Sequence, residues 1–181
     1  MKNKAYDLSK YSFSPDEFVL IDANIWLYLF PPPGNPQKPY IKAYSRGFAN
    51  LLSVKAKPVL DPMVLSEYLN RYCRIIWSGF SSIYPDYKKF RHSANFKPVA
   101  NSVSADALRI IKLCHVHTTF SSESDLELAL NGFPSGLIDF NDALLVEVCR
   151  KNCYKLLTND ADFQTGGIEV LTVNKKLLQV C

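Results

Sequence analysis

The sequence has no apolar run long enough to span a membrane, because Asp22 interrupts the best candidate and Pro31-Pro32-Pro33 ends it. The first ten residues, Met1 to Lys10, are polar and carry no signal-peptide core. Together these absences predict a cytoplasmic protein with no membrane partner. The five cysteines (Cys73, Cys114, Cys149, Cys153 and Cys181) are odd in number and scattered. They include no Cys-x-x-Cys, which argues against a disulfide framework and a zinc site. Cys149 and Cys153, four apart on one expected helix, read as buried thiols of a reducing compartment. No Gly-rich Lys-Ser/Thr motif is present, so a P-loop is excluded. There is neither an internal repeat nor a low-complexity segment.

What is present suits a single domain over 1–181. The chain has 181 residues, enough for a proper core, and 48% of them are apolar against 21% charged. The net charge of +4 is modest but unevenly spread. Arg71 to Lys112 holds eight bases and two acids, whereas Leu113 to Cys149 holds six acids and no Lys or Arg. Such asymmetry fits a polyanion on one side and a cation on the other, or simply two solvated faces.

Phe18 to Phe30 organises the chain. Phe18-Val-Leu-Ile21 is a buried strand, Asp22 follows at once, and the dense apolar run from Asn24 suits a buried helix. A carboxylate between a buried strand and a helix sits where open α/β sheets place their ligands. The alternative is a plain helix cap. Residues 1–17 read as a loose arm, and Pro31 to Pro39 as an irregular connection. Ile41, Tyr44, Phe48, Leu51 and Leu52 give one helical face, and Lys57 to Asp61 a short strand. Asp61-Pro62 starts a helix that places Glu67 in its second turn beside Met63 and Asn70. A lone Glu there is ordinarily just solvated.

Ser78 to Pro98 reads as an insertion in which Phe80, Tyr84, Tyr87, Phe90 and Phe96 alternate with Lys88, Lys89, Arg91, His92 and Lys97. Aromatic planes stack on unpaired bases and cations hold phosphates. With Arg71 and Arg74, the residues Tyr87, Lys88, Lys89 and Arg91 are therefore the candidate RNA contacts. The competing reading has the aromatics packed on the core while the bases snorkel. Asn101 to Leu113 is a helix with Val103, Leu108 and Ile111 inward, and Ile110 a further candidate. His115-Val-His117 is a strand with both imidazoles on one face, read as structural. Ser124-Asp-Leu-Glu127 opens a short helix that stops near Asn131-Gly132. Asp139 and Asp142 lie three apart in the first turn of the helix through Ala143, Leu144, Val146 and Cys149, and one of them is open to a capping role. Tyr154 to Leu157 is a strand ending in Thr158-Asn-Asp160-Ala-Asp162, a second strand followed by acid. A last strand, Ile168 to Val173, precedes a terminal helix capped by Asn174.

Elements alternating in this way predict an α/β chain with a mostly parallel sheet. In such a sheet Asp22, Asp160, Asp142 and Glu67 reach the same edge. At about 5 Å and an effective dielectric of about 20, each pair of carboxylates repels by roughly 3 kcal/mol. Protonation or a bound cation must relieve that. An all-oxygen set favours Mg²⁺ or Mn²⁺, and the chemistry it suits is metal-assisted hydrolysis of a phosphodiester.

The motifs Leu20-Ile-Asp-Ala-Asn24, Leu65-Ser-Glu-Tyr-Leu-Asn70, Asp139-Phe-Asn-Asp-Ala-Leu144 and Leu156-Leu-Thr-Asn-Asp-Ala-Asp-Phe163, in this order, resemble those of PIN-domain ribonucleases, the fold of VapC-type toxins. The resemblance spans Phe18 to Val173 apart from about 78–98. It implies a three-layer α/β/α domain with a five-stranded parallel sheet. It also implies Asp22, Glu67, Asp142 and Asp160 as catalytic acids holding Mg²⁺ or Mn²⁺, and Asp139 and Asp162 as accessory acids. Asn24 and Thr158 would orient the first Asp. The implied partners are an RNA substrate, an antitoxin protein and a second copy in a homodimer. The extra length and the aromatic-basic insertion depart from the compact toxins. A catalytically silent RNA- or protein-binding module is the alternative function. A HAD-type phosphatase is disfavoured because it would want Asp where this chain has Asn24.

Overall fold

The computed structural model describes residues 1–34, 38–117, 122–132, 136 and 138–181. Residues 35–37 of the Pro31–Pro39 connection lie outside the described set. The strands are β1 (Lys4–Asp7), β2 (Phe18–Ile21), β3 (Lys57–Leu60), β4 (His115–Val116), β5 (Lys155–Leu157) and β6 (Glu169–Thr172). The helices are α1 (Ala23–Leu29), α2 (Pro39–Ser53), α3 (Pro62–Ser78), α4 (Tyr87–Arg91), α5 (Phe96–Leu113), α6 (Glu123–Gly132), α7 (Phe140–Asn152) and α8 (Lys175–Val180).

The strands form one sheet in the order β1-β6-β5-β2-β3-β4, with every neighbouring pair parallel. Among the described residues this is an α/β fold with six strands rather than the expected five. The sixth comes from the segment read as a loose arm, since Lys4 to Asp7 pair with Glu169 to Thr172. Asn3 locks this strand in place: its Nδ2 donates to the Phe163 carbonyl at 3.1 Å, and its Oδ1 accepts from the Ile168 N–H at 3.0 Å. Leu8, 3% exposed, then packs onto Gly47 of α2.

Valine, isoleucine and leucine fill the central strands because both sheet faces are covered. Val19, Leu20, Ile21, Val59, Leu156, Leu157, Val170 and Leu171 are fully buried. From β2 the chain steps outward through β3 to β4, then returns across β2 to β5 and β6. Right-handed crossovers in opposite directions put their helices on opposite faces. Accordingly α1, α2, α3 and α5 pack on one another, and α6 packs on α7. The reversal falls between β2 and β5, and sheets of this kind bind ligands beyond the carboxyl ends of the strands at such a point. Among the described residues no helix is long and apolar enough to cross a membrane.

Several local expectations change. The inward face of α5 is Val103, Ala107 and Ile110, while Leu108 and Ile111 are exposed. The stripe runs one residue earlier than a count of large apolar side chains suggests, because Ala107 supplies its middle contact. Cys149 is buried as expected, but Cys153 is the left-handed cap of α7 and is exposed. Both imidazoles of β4 and its end meet aromatic rings: His115 lies edge-on to Phe18, and His117 edge-on to Tyr154. The insertion is ordered. Asp86 caps α4 through the N–H groups of Lys88 and Lys89, and Phe90 is buried among Phe80, Tyr84, Tyr87 and Phe96.

Candidate active site

Register builds the site. Ile21 lies beside Leu157, so the next residues, Asp22 and Thr158, emerge side by side at the carboxyl edge. Asp22 occupies the cap position of α1, yet its side chain makes no capping hydrogen bond. It is 4% exposed and is held from elsewhere. The Thr158 hydroxyl donates to Asp22 Oδ2 at 2.5 Å, and the Asn24 amide donates to the same oxygen. The Asn24 amide also reaches Thr158 Oγ1 at 3.1 Å, and Asn24 Oδ1 accepts from the Asn159 N–H at 3.2 Å. Asn24 and Thr158 therefore orient Asp22, the arrangement that the two motifs imply.

The Thr158–Asp162 turn carries the second acid. Thr158 Oγ1 accepts from the Asp160 N–H at 2.9 Å, and Asp160 Oδ1 accepts from the Asp162 N–H at 3.0 Å. Beneath this turn lies Tyr44, fully buried on α2. Its hydroxyl accepts from the Val173 N–H at 3.1 Å and sits 3.1 Å from the Thr158 carbonyl and 2.9 Å from Asn159 Oδ1. Asn174 Nδ2 donates to the Asn159 carbonyl at 2.7 Å. The sequence shows Tyr44 only as one apolar position of a helical face. Its polar end joining α2, β5 and β6 has no local signature.

The other two acids come from helices on opposite sides. Asp139 caps α7, its Oδ1 accepting from the Asp142 N–H at 2.9 Å, which places Asp142 in the first helical turn. One carboxylate oxygen of Asp139 is thus engaged with the backbone. Glu67, half-buried on α3, accepts from Arg71 at 2.9 Å one turn later. Asp162 is exposed at the rim.

The electrostatics tie the four together. Burial first, and then the charges of Glu67 and Asp160, push the Asp22 carboxyl up to about 6 against the donor at Thr158. Burial, then Asp139, Asp22, Asp160 and Glu67 push Asp142 up to about 8. Asp22 and Asp142 thus both lie in the fields of Glu67 and Asp160. The four are not drawn to bonding distance of a common point. Among the described residues, no three His, Cys, Asp or Glu side chains stand close enough to hold a metal ion. Glu67 is bonded to Arg71, and Asp22 to Asn24 and Thr158. The donor chemistry nevertheless fits a hard divalent cation, because only oxygen ligands are offered and the raised carboxyls mark a field that such a cation relieves.

The family model of the PIN domain matches residues 19–169. The chain belongs to the PIN domain family. PIN domains are generally nucleases and commonly use divalent metals. The structure of PAE2754 from Pyrobaculum aerophilum is 14% identical, with 94% of this chain and 98% of that chain covered and a TM-score of 0.48. No curated protein matches the chain.

The expected RNA contacts divide. Lys88, Lys89 and Arg91 are exposed on α4, and Arg71 and Arg74 are exposed on α3. Tyr87 is half-buried, edge-on to Trp77 at 5.7 Å, with the Arg74 guanidinium 4.8 Å from its ring centre. The insertion's aromatic rings pack largely on one another.

Proposed function

We propose that this PIN domain is an endoribonuclease that hydrolyses RNA phosphodiester bonds with Mg²⁺ or Mn²⁺ held by Asp22, Glu67, Asp142 and Asp160. What supports the proposal is Asp22, buried at the carboxyl end of β2 and not used as a cap, with the charges of Glu67 and Asp160 acting on its carboxyl. When bound, such a cation supplies a nucleophilic hydroxide at neutral pH and neutralises charge on the phosphate. Asn24 and Thr158 fix the Asp22 carboxylate from behind. Tyr44 and Asn174 hold the turn that presents Asp160. Arg71 keeps Glu67 from its neighbours until a ligand draws it inward.

The test is cleavage of a panel of single-stranded and structured RNAs by freshly purified protein with Mn²⁺. Wild type is expected to cut and EDTA to stop it. Asp22→Asn is expected to lose at least about 100-fold, the scale of one electrostatic contact in a dry site. A wild type that cuts no RNA under these conditions contradicts the proposal and favours the silent binding module. The finer reading is a toxin restrained by an antitoxin protein and acting as a homodimer. Induced expression tests it: wild type should arrest growth and Asp22→Asn should not.

A further inference from the structure

An acid-lined cleft repels the polyanion it is proposed to cut, so attraction must come from elsewhere on the molecule. One stretch of the chain is placed to supply it. Between Arg71 and Lys97 there are six bases and a single acid, Asp86, whose carboxylate is occupied in capping α4. Glu67, Arg71 and Arg74 lie at i, i+4 and i+7, one face of α3. Arg74 is thereby about 10 Å along the helix from the acid site. It lies over Tyr87, the first residue of α4, and α4 carries Lys88, Lys89 and Arg91 outward. Among the described residues, none of Lys88, Lys89, Arg91 and Lys97 pairs with an acid.

The aromatic residues have another use. Phe90 is fully buried, Phe80 stacks on it at 5.3 Å, and Phe96 meets it edge-on at 5.7 Å. The Trp77 indole N–H donates to the Tyr84 carbonyl at 2.8 Å. These rings form a small core that holds α4 rigidly against the end of α3. They do not offer open faces to bases.

We infer that α4 and the Arg71–Arg74 face form a phosphate-binding track that holds the RNA strand flanking the cleavage site, through its backbone and without regard to sequence. This inference rests on the ribonuclease reading only for the identity of the polyanion. The track attracts what the acids repel and places a neighbouring phosphodiester at the carboxyl edge. Discrimination between bases is left to the cleft.

The test is fluorescence anisotropy of a labelled oligouridine of about 16 nucleotides in EDTA, where cleavage is stopped. Lys88→Ala/Lys89→Ala/Arg91→Ala is compared with wild type and with Lys175→Ala/Lys176→Ala, a control at the far edge of the sheet. Across about 50 to 200 mM salt, the triple variant should bind at least about tenfold more weakly at the low end. Its slope of log affinity on log salt should be shallower by about 2, near 0.7 for each lost phosphate contact. The control should follow wild type. Unchanged affinity and slope in the triple variant overturn the track, as does a wild type that binds no RNA. Loss of polyglutamate binding with RNA binding intact also overturns it and assigns the face to an acidic protein. If the track behaves as stated but Mn²⁺ brings no cleavage, only the ribonuclease reading fails. If RNA is cut and the triple variant is indistinguishable, only the track fails.

Discussion

Asp22 meets two opposed demands, since it is buried like a core residue and ionised only at a cost. Its carboxyl rises from 3.8 to about 6, mainly through burial, which corresponds to about 3 kcal/mol. A carboxyl raised on folding stabilises the folded state below its unfolded value, and that stability is lost as pH climbs through the folded one. Without metal, thermal stability should therefore fall between about pH 4 and 6 from Asp22, and on towards pH 8 from Asp142, which rises to about 8. Asp22→Asn should flatten the first part of this fall and be more stable than wild type at pH 8 by about 2–3 kcal/mol. Urea unfolding in EDTA at pH 5 and pH 8 checks both signs. Tyr44→Phe should act in the other direction, costing about 1–3 kcal/mol by leaving buried partners unsatisfied, and it should lower cleavage because the Asp160 turn loosens. Asp22 could be picked out in the sequence because it follows a strand at once, whereas Asn24, in the first turn of α1, and Thr158 entered through the resemblance of their motifs. Tyr44 could not, because its role depends on which strands happen to end beside α2.

At the scale of elements, Asp139 caps α7 and Asp142 lies in its first turn. Asp139→Asn keeps a good cap and should leave stability near wild type, whereas Asp139→Ala should cost about 1 kcal/mol. Asp142→Asn should abolish cleavage while the helix stays folded, which circular dichroism beside an activity assay will show. Spacing alone put both residues in one turn and left the cap unassigned. Only the helix start at Phe140 divides them. β1 was illegible for a related reason. Its residues are half-exposed at a sheet edge, so they lack the apolar run that marks a buried strand. Their hold comes from Asn3 and Leu8, and Gly47 reports on it. A Cβ at Gly47 would stand 2.7 Å from the Leu8 side chain, so Gly47→Ala should destabilise by about 1–3 kcal/mol despite better helix propensity. Chemical denaturation measures this directly.

Over the whole molecule, an alternation of strands and helices with acid at strand ends was enough to read the α/β class and the carboxyl edge. The strand count and the packing of the insertion depend on long-range partners and were not readable. Phe80, Phe90 and Phe96 alternate with bases in the chain as a stacking surface would, yet tertiary contact folds them inward and leaves only charge outside. The bases of α4 stand outside, and among the described residues the acids are not gathered into a group that could hold a metal ion. In the proposed function a cation draws them together. Calorimetric titration of Mn²⁺ into the metal-free protein at pH 7, in two buffers of different ionisation enthalpy, tests this most directly. The account predicts saturable binding with proton release, as Asp142 and Asp22 give up protons to the incoming charge, and loss of that release in Asp142→Asn. Absence of binding, or identical binding and proton release in Asp142→Asn, would contradict it.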